Sequence, residues 1–438
     1  MDFITYVAQN LRQQLPELIK TYKGDISAPN LSEMERNIKQ MSVELSNEII
    51  AQWLEAQDQK YPDDKKGCPD CGGQAKYIRC REGMTLTLQG RVHYKRNYYT
   101  CDDCHCGFYP LDQKLGIKAG QMSEEVIQLA ALFGIEDAFG TGHDLLKRSA
   151  SLNLSPNSIR KATQRVGEKI IAHEQGLIKQ SHDLDNQKQR QQSEDSPQRL
   201  YGSMDGFNVL FEDGWHEMKA GVWWSAKTGK GGAIKAENLH YYTDFLPANE
   251  FSDLVWASGF DQKADIADAL IFVADGAEWI WRIVDQHYPQ AVQIVDWYHA
   301  CAYISPVAKV AFSDPFKQTQ WIEQVKSDLW QGHLDAVITN CKRFIDPQRD
   351  GDPAQKAVTY YQNNRHRMDY AHYRELGYQI GSGSMESGCK QLGLARLKIA
   401  GARWSSEGAT LVAKARATYL SGDWDKINSL SGNLPQVA

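Results

Sequence analysis

The chain has 438 residues, a formal net charge of −6, and 42% hydrophobic residues. This length exceeds one ordinary domain, and the apolar content supports packed cores, which excludes a disordered scaffold. No apolar run is long enough to span a bilayer, and the first residues lack a secretory signal, so we expect a cytoplasmic protein. The negative charge argues against nucleic-acid binding by the whole surface, although local patches decide such binding.

Two stretches have the periodicity of amphipathic helices, residues 1–59 and residues 113–180. In the first stretch, the clearest pattern begins at Leu31. In the second, a short break between two helical patterns predicts a helix-turn-helix that contacts DNA. The candidate DNA-binding residues are Arg160, Lys161 and Arg165. Because most helix pairs are only packing units, that alternative stays open.

Six of the nine cysteines lie in residues 60–112, which we expect to form a zinc ribbon. Two Cys-x-x-Cys pairs flank a segment that we expect to form a hairpin, and this spacing is typical of a structural four-thiolate zinc site. The predicted zinc ligands are Cys68, Cys71, Cys101 and Cys104. The sequence leaves open whether His105 or Cys106 replaces Cys104. The basic residues between the pairs are expected either to contact phosphates or to form a solvated face; they are Arg79, Arg81, Arg91, Lys95 and Arg96.

Residues 181–199 contain almost no apolar side chains and predict a linker or a long solvated loop. Beyond it, three strand patterns in series and two strand–helix units predict an α/β RNase H-like domain over residues 200–425. The predicted strands are Leu200–Phe211, Met218–Ser225, Leu239–Phe245, Ala269–Ala274 and Ala291–Val295. A helical insertion is expected at about 300–375, and a C-terminal tail at 426–438.

Three acidic residues stand out by their positions in this pattern. Asp205 lies within a strand, Asp275 ends one, and Glu386 follows a Gly/Ser-rich turn. In an RNase H-like sheet the first and fourth strands are neighbours, so Asp205 and Asp275 would meet. Carboxylates suit Mg²⁺, and two such ions can activate a nucleophile and stabilise a leaving oxygen. The spacing alone is weak, since an Asp-Gly after a strand is usually a turn.

Three flanking motifs strengthen this interpretation. Asp296 to His299 resembles the D-x-x-H signature of Mutator-like DDE transposases, and Gly381 to Glu386 resembles their turn before the catalytic Glu. Arg403-Trp404 resembles a segment that commonly follows. With the zinc module in front, the chain resembles bacterial insertion-sequence transposases of the ISKra type.

The resemblance implies a transposase that cleaves and joins DNA strands with Asp205, Asp275 and Glu386 as catalytic residues. It implies two Mg²⁺ ions, for which Mn²⁺ substitutes, and a homo-oligomer. The expected partners are double-stranded terminal inverted repeats and target DNA, with no membrane and with a nucleoid-associated location.

Four accessory residues follow from the same motifs, and their roles stay open. Asp296 would be a further metal ligand and His299 a phosphate contact, or both would position the floor of the active site. Arg403 and Trp404 would stack on an extruded base or pack in the core. The rival functions are an RNase H-like nuclease without strand transfer and a non-catalytic zinc-ribbon DNA-binding regulator.

Overall fold

The computed structural model describes residues 30–58, 62–117, 121–193, 195–228 and 234–429, with a few isolated positions before residue 30. The chain divides into two compact units, residues 1–134 with 139–162 and residues 135–138 with 163–438. Most of the helical prediction before Leu31 and of the predicted tail lies outside the described residues. Within the described ranges, no helix combines the length and the apolar character that crossing a membrane requires.

The first unit is built around a small antiparallel sheet. The elements up to the fourth helix are α1 (Leu31–Gln57), β1 (Lys65–Gly67), β2 (Gln74–Thr87), β3 (Gly90–Cys101), β4 (Gly107–Phe108), α2 (Pro110–Leu115), α3 (Glu124–Glu136) and α4 (Phe139–Ala150). Helix α1 begins where Asn30 accepts a hydrogen bond from the Glu33 amide at 3.0 Å, as an N-cap residue does. The sheet order is β1-β2-β3-β4. Ala75, Tyr99 and Phe108 form its core together with two cysteines.

Arg96 of the hairpin is buried, whereas we expected it from the sequence to lie on a solvated or phosphate-binding face. Arg96 is only 4% exposed. It forms an ion pair with Asp112, and its guanidinium lies 3.7 Å from the centre of the Tyr109 ring. A buried charge is tolerated when it is paired in this way, so Arg96 supports the hairpin from inside. The exposed cations of the hairpin are Lys76, Arg79, Arg91 and Lys95.

The second unit contains a mixed five-stranded sheet. After α5 (Pro156–His182) and α6 (Leu184–Gln191) come β5 (Leu200–Phe211), β6 (Gly214–Thr228), β7 (Ile234–Asp244), α7 (Ala248–Asp261), β8 (Leu270–Ala274), α8 (Glu278–His287) and β9 (Val292–Val295). The strand order is β7-β6-β5-β8-β9. Strands β5, β6 and β7 are antiparallel, whereas β5, β8 and β9 run parallel. All five residues of β8 are buried, as is usual for a parallel strand covered on both faces.

The remainder of this unit is helical. Helices α9 (Trp297–Ala302), α10 (Ile304–Ala311), α11 (Pro315–Trp330), α12 (Leu334–Lys342), α13 (Pro353–Asn363) and α14 (Tyr370–Glu375) separate the sheet from α15 (Gly383–Cys389). A π-helical segment, Lys390–Leu397, continues from α15, and α16 (Ser406–Leu420) and α17 (Trp424–Ser429) follow. π-helical segments are rare overall but often occur at functional sites, so this one directs attention to α15.

The segment 181–199 corrects the predicted linker. Helix α5 extends through its start, and Asp183 caps α6 by accepting from the Asp185 and Asn186 amides. The Ser181 carbonyl accepts a hydrogen bond from the Trp256 indole at 3.1 Å. The segment lies within the second unit. Low apolar content therefore marks a solvated helix here, because good caps and a few anchoring contacts suffice to order it.

A buried cation joins three elements of the second unit. Lys414, on α16, is 2% exposed. Its ammonium lies 2.6 Å from the Glu174 carboxylate of α5 and 2.8 Å from the Asp244 carboxylate at the end of β7. It also donates to the Thr243 carbonyl at 3.0 Å. Three acceptors match the three donors of an ammonium group, so the charge is buried with its hydrogen bonds satisfied.

Candidate functional site

Three aspartates lie in one row across the parallel strands. β5 pairs Gly202 with Phe272 of β8, and the same register extended along the strands sets Asp205 beside Asp275. β8 pairs Ala274 with Val295 of β9, so the next position sets Asp275 beside Asp296. Neighbouring strands are about 4.8 Å apart, which brings the three carboxylates to one edge of the sheet.

Asp205 and Asp275 are half-buried and keep part of their ligand capacity. The Gly206 amide donates to Asp205 Oδ1 at 2.7 Å, and the Ala277 amide donates to Asp275 Oδ1 at 2.9 Å. Burial raises the pKa of Asp205, and the nearby Asp275 carboxylate raises it further. A cation bound beside Asp205 would offset this effect, because a nearby positive charge favours the ionised form of a carboxyl group.

Asp296 is fully buried, and both of its carboxylate oxygens accept hydrogen bonds from neighbouring groups. Its Oδ1 accepts from the His299 amide at 2.7 Å and lies 3.1 Å from His299 Nδ1. Its Oδ2 accepts from the Ser382 amide at 2.5 Å and from the Ser382 hydroxyl at 3.0 Å. Burial alone would raise the pKa of Asp296, but these hydrogen bonds outweigh it and hold the pKa below its ordinary value. Asp296 is thus occupied in joining two segments, which favours the positioning role over metal ligation.

His299 lies beside the row of aspartates with its side chain 43% exposed. The hydrogen bond to Asp296 raises the pKa of His299 against the effect of burial, and the charges of Asp275 and Asp205 contribute to the rise. Because Nδ1 faces Asp296, the second ring nitrogen is the one left for a phosphate or for water.

Helix α15 crosses the row of aspartates. At its start, Ser382 contacts Asp296, and at its end the Cys389 thiol donates to Asp205 Oδ2 at 3.6 Å. Glu386 follows Ser382 by four residues and precedes Cys389 by three. Residues at these spacings share one helix face, so Glu386 lies on the face that contacts the aspartates at both ends.

The three carboxylates predicted to be catalytic are neighbours, but they do not converge closely enough to bind a single ion together. Within the described residues, the ligand atoms of Asp205, Asp275 and Glu386 do not all lie within 4.8 Å of one another. A two-ion site distributes its ligands around ions about 4 Å apart, so its carboxylates need not all meet. Glu386 is half-exposed, and the Lys390 ammonium lies 3.9 Å from its Oε2. These oxygen ligands are of the type that Mg²⁺ prefers.

The turn after Asp275 is supported by the helical insertion. The Tyr360 hydroxyl of α13 donates to the Asp275 carbonyl at 2.7 Å, and the Tyr303 ring stacks on that of Tyr360 with centres 4.0 Å apart. Gly276 has φ +100°, and a Cβ there would lie 2.9 Å from the Tyr360 ring. Glycine is therefore required at this position both for its backbone angle and for space.

Arg403 and Trp404 have separate environments. Arg403 is exposed. Trp404 is 8% exposed, its indole donates to the Leu397 carbonyl at 2.9 Å, and its backbone bridges to Phe211 at the end of β5. Phe211 is six residues beyond Asp205, about 20 Å along the strand. Trp404 is therefore a core residue away from the aspartates, and of its two expected roles the structure favours core packing over base stacking.

The predicted zinc ligands meet in the first unit. Within the described residues, Cys68, Cys71, Cys101 and Cys104 form the one group of potential metal ligands whose atoms all lie within 4.8 Å of one another. The sulfurs of Cys68 and Cys104 are 3.6 Å apart, and those of Cys71 and Cys101 are 3.5 Å apart. Zinc–sulfur bonds of about 2.3 Å in a tetrahedron imply sulfur–sulfur edges of about 3.8 Å. The four thiols thus fit one zinc ion.

His105 and Cys106 lie outside that group. His105 has a left-handed φ of 57°, which turns the chain, and the Cys106 carbonyl then accepts from the Cys101 amide at 2.9 Å. The sulfur of Cys104, and not that of Cys106, belongs to the group whose ligand atoms all lie within 4.8 Å of one another, so Cys104 is the better fourth ligand.

The candidate helix-turn-helix corresponds to α4 and the start of α5. The Ser155 hydroxyl accepts from the Ser158 amide at 3.1 Å and so begins α5. Arg160 is half-buried and donates to the Asn157 side chain at 2.7 Å, Lys161 is exposed, and Arg165 is half-buried. DNA contact by these three side chains stays a prediction.

Three contributors to the site were absent from the sequence prediction: Ser382, Cys389 and Tyr360. Ser382 and Cys389 flank Glu386 at helical spacing, and that periodicity was a usable signal once a helix was expected there. Tyr360 reaches Asp275 from 85 positions away in sequence. No local pattern indicates such a contact.

Comparison with known proteins identifies relatives of the whole chain. The profile of an uncharacterised protein family, UPF0236, matches residues 27–429. A UPF0236 protein of Caldanaerobacter subterraneus subsp. tengcongensis is 22% identical over 443 residues, which cover 97% of this chain and 87% of the relative. A second UPF0236 protein of that organism is 21% identical over 448 residues, covering 98% and 88%. The name of this second relative joins eleven locus designations.

Proposed function

This chain belongs to UPF0236, an uncharacterised protein family, and we propose from its site that it is a metal-dependent DNA transposase. The observation that carries the proposal is the row formed by Asp205, Asp275 and Asp296 across three parallel strands, crossed by the helix that bears Glu386. Such a convergence of carboxylates from distant segments is the arrangement that two-metal phosphodiester chemistry uses.

The sheet supports an RNase H-like catalytic domain. In sequence order its strands are arranged 3-2-1-4-5, with the first three antiparallel and the last two parallel to the first. This is the pairing of first and fourth strands expected of that fold. The helices between β9 and α15 occupy the place of the insertion expected at about 300–375.

Each catalytic carboxylate has a role in this proposal. Asp205 and Asp275 would hold Mg²⁺ or Mn²⁺ from the sheet, and Glu386 would complete the ligands from α15. The ions supply activation of the attacking oxygen and stabilisation of the leaving one. The chain itself orients these ligands: Asp296 fixes the start of α15 through Ser382, and the contact of His299 Nδ1 with Asp296 leaves the other ring nitrogen for a phosphate.

The four-cysteine group supports a structural zinc ribbon in the first unit. With four protein ligands no position remains for substrate, so the metal there would order the hairpin and take no part in catalysis. The exposed hairpin cations and Lys161 of α5 are the surfaces that we assign to duplex DNA, which would comprise element ends and target. Assembly as a homo-oligomer on two such ends, in the nucleoid, completes the proposal.

The name of one relative adds support of a different kind. A protein name that joins eleven loci of one organism fits a gene that has multiplied within its genome. Transposition produces copies of the gene that encodes the transposase, whereas a regulator or a housekeeping nuclease has no such effect on its own gene. This consideration favours the transposase over its two rivals.

The proposal is tested by incubating the purified protein with a supercoiled plasmid that carries the ends of its own element. We expect nicking or linearisation with Mg²⁺ or Mn²⁺ and none with EDTA. Asp275→Asn should lower the cleavage rate by at least about 10³-fold, because a metal ligand is lost at the reacting centre. Asp425→Asn, a change at an exposed carboxylate of α17, should cleave like the wild type.

Two outcomes would contradict the proposal. A folded, DNA-binding wild type that leaves the plasmid intact under all metal conditions would favour the regulator. Cleavage retained by Asp275→Asn would remove the carboxylates from catalysis. Strand transfer is read separately, by supplying pre-cleaved ends with a target plasmid, and cleavage without joining would favour the simple nuclease.

A further inference from the structure

A groove of about 790 Å³ opens beside the Asp275 turn. Gly276 and Tyr360 line its inner end, and Tyr360 is the residue whose hydroxyl donates to the Asp275 carbonyl at 2.7 Å. We call it the α8–α13 groove, since those two helices supply most of its lining. Because Gly276 and Tyr360 belong both to the lining and to the Asp275 turn, the groove adjoins the carboxylate site.

The α13 wall of the groove is polar and exposed. Its side chains are Gln355, Lys356, Thr359 and Asn363. Gln355 and Lys356 precede Thr359 by four and three residues, and Asn363 follows it by four, which places these side chains on one helix face. This face offers one cation together with amide and hydroxyl groups, which are the groups that bind phosphate and sugar oxygens of nucleic acids.

The α8 wall and the floor add further cations and an aromatic surface. Arg282 lines the α8 wall and is 72% exposed, with Glu278 at 3.7 Å. In the floor, the Arg367 guanidinium lies 4.5 Å from the centre of the Trp281 ring. Trp281 is 3% exposed, and its indole N–H has no acceptor among the described residues.

The size and charge of the groove indicate a short single strand. Sites of about 300–1,000 Å³ accommodate drug-sized ligands, so this volume suits a few linked nucleotides and excludes a duplex. Three cations line the groove against two carboxylates, those of Glu278 and Asp285. The small positive excess suits a few phosphates, as expected for a strand that is already held at the metal site.

We propose that the α8–α13 groove binds the single DNA strand that continues from the scissile phosphate, with Lys356 and Arg282 contacting its phosphates. The inference rests on the proposed function and specifies where one strand of the substrate lies. It gives the helical insertion a direct part in substrate binding, in addition to its support of the Asp275 turn.

The test compares two DNA substrates in a protein that cannot cleave them. Full-length Asp275→Asn protein is titrated with an end duplex that carries an oligothymidine tail and with the same duplex without a tail, and binding is measured by fluorescence anisotropy. Adding Lys356→Glu should weaken binding of the tailed duplex by about tenfold and lower its salt slope by about one, as the loss of a phosphate contact does. Binding of the blunt duplex should stay within about twofold.

Lys342→Glu is the matched control, since Lys342 is an exposed lysine of α12 in the same insertion; it should leave both affinities unchanged. Lys356→Gln, which removes the charge without reversing it, should show a smaller loss for the tailed duplex and guards against misfolding of the Glu variant. Equal effects of Lys356→Glu on both duplexes, or no effect on either, would overturn the assignment of the groove.

The assignment of the groove and the proposed function can fail independently. Loss of tail binding in Lys356→Glu beside an inactive wild type would keep the groove and reject the transposase. Normal plasmid cleavage beside unchanged tail binding would keep the transposase and reject the groove.

Discussion

Replacing Asp296 by alanine should destabilise the protein by about 3–5 kcal/mol and displace Glu386. The carboxylate caps α9 through the His299 amide, a contact worth about 1 kcal/mol. It also accepts two hydrogen bonds from Ser382, and hydrogen bonds to a charged acceptor contribute about 1.5–3 kcal/mol each. Part of this sum is offset by the desolvation of a buried carboxylate, which brings the net loss into the stated range.

Urea denaturation of wild type and Asp296→Ala, followed by tryptophan fluorescence, measures this loss. Asp314→Ala is the control, because Asp314 caps α11 by accepting from the Phe316 amide at 3.0 Å and makes no contact with α15. It should cost only about 1 kcal/mol and leave cleavage intact. If Asp296→Ala costs no more than the control, or cleaves DNA at the wild-type rate, the role of Asp296 in positioning Glu386 is refuted.

Three further predictions concern the metals and the buried charges. Asp205→Asn should abolish cleavage yet raise Tm in EDTA, by about 2–4 °C for each kcal/mol gained in the free energy of unfolding. The folded-state pKa of Asp205 is raised, so the stability of the wild type falls as pH rises from the ordinary carboxyl pKa through the raised value. Asparagine does not ionise, so the variant avoids this loss. For the same reason, Mn²⁺ affinity measured by isothermal titration should fall on acidification at a higher pH than for an ordinary aspartate. Purified protein should contain one zinc per chain by mass spectrometry of metals, with little in Cys71→Ser and one in Cys80→Ser, since Cys80 is exposed and outside the sulfur group. Lys414→Met should cost about 3–5 kcal/mol in urea denaturation because it leaves two carboxylates without their buried partner; a loss below 1 kcal/mol would contradict the importance of that ion pair.

Most strands of the second unit could be predicted from the sequence, because apolar residues mark the buried positions of each strand. The prediction of Leu200–Phe211 coincides with β5, and the apolar run before Asp275 is β8. Strand ends are less certain: β6 and β7 both extend beyond the predicted bounds, since exposed strand residues carry no apolar signal.

The linker prediction failed for a physical reason. A low apolar content shows that a segment is hydrated, but it does not show that the segment is irregular. Within residues 181–199, Leu184–Gln191 form a solvated helix, and contacts such as those of Ser181 with Trp256 and of Arg199 with Gly377 anchor the segment. Arg96 illustrates the converse. A charged residue in a strand reads as exposed, but its partner Asp112 lies 16 residues away in sequence, and sequence inspection does not reveal such pairs.

The candidate site divides in the same way. Asp205 and Asp275 could be placed together from sequence because the first and fourth strands of the expected sheet are neighbours. The contacts that orient Glu386 could not, since Asp296 reaches Ser382 across the whole insertion. The alternatives left open for Trp404 and for His105 and Cys106 depended on three-dimensional packing, which sequence spacing does not encode.

The position of the helical insertion between Asp275 and Glu386 has a consequence for the order of folding. Long-range contacts form late because the intervening chain must first be ordered, and during synthesis the N-terminal parts of a chain fold first. The sheet with Asp205 and Asp275 can therefore form on the ribosome while residue 386 is still unmade. A nascent or prematurely terminated chain would carry two of the three carboxylates and no closing helix, so the proposed cleavage activity would arise only after residue 386 has been made.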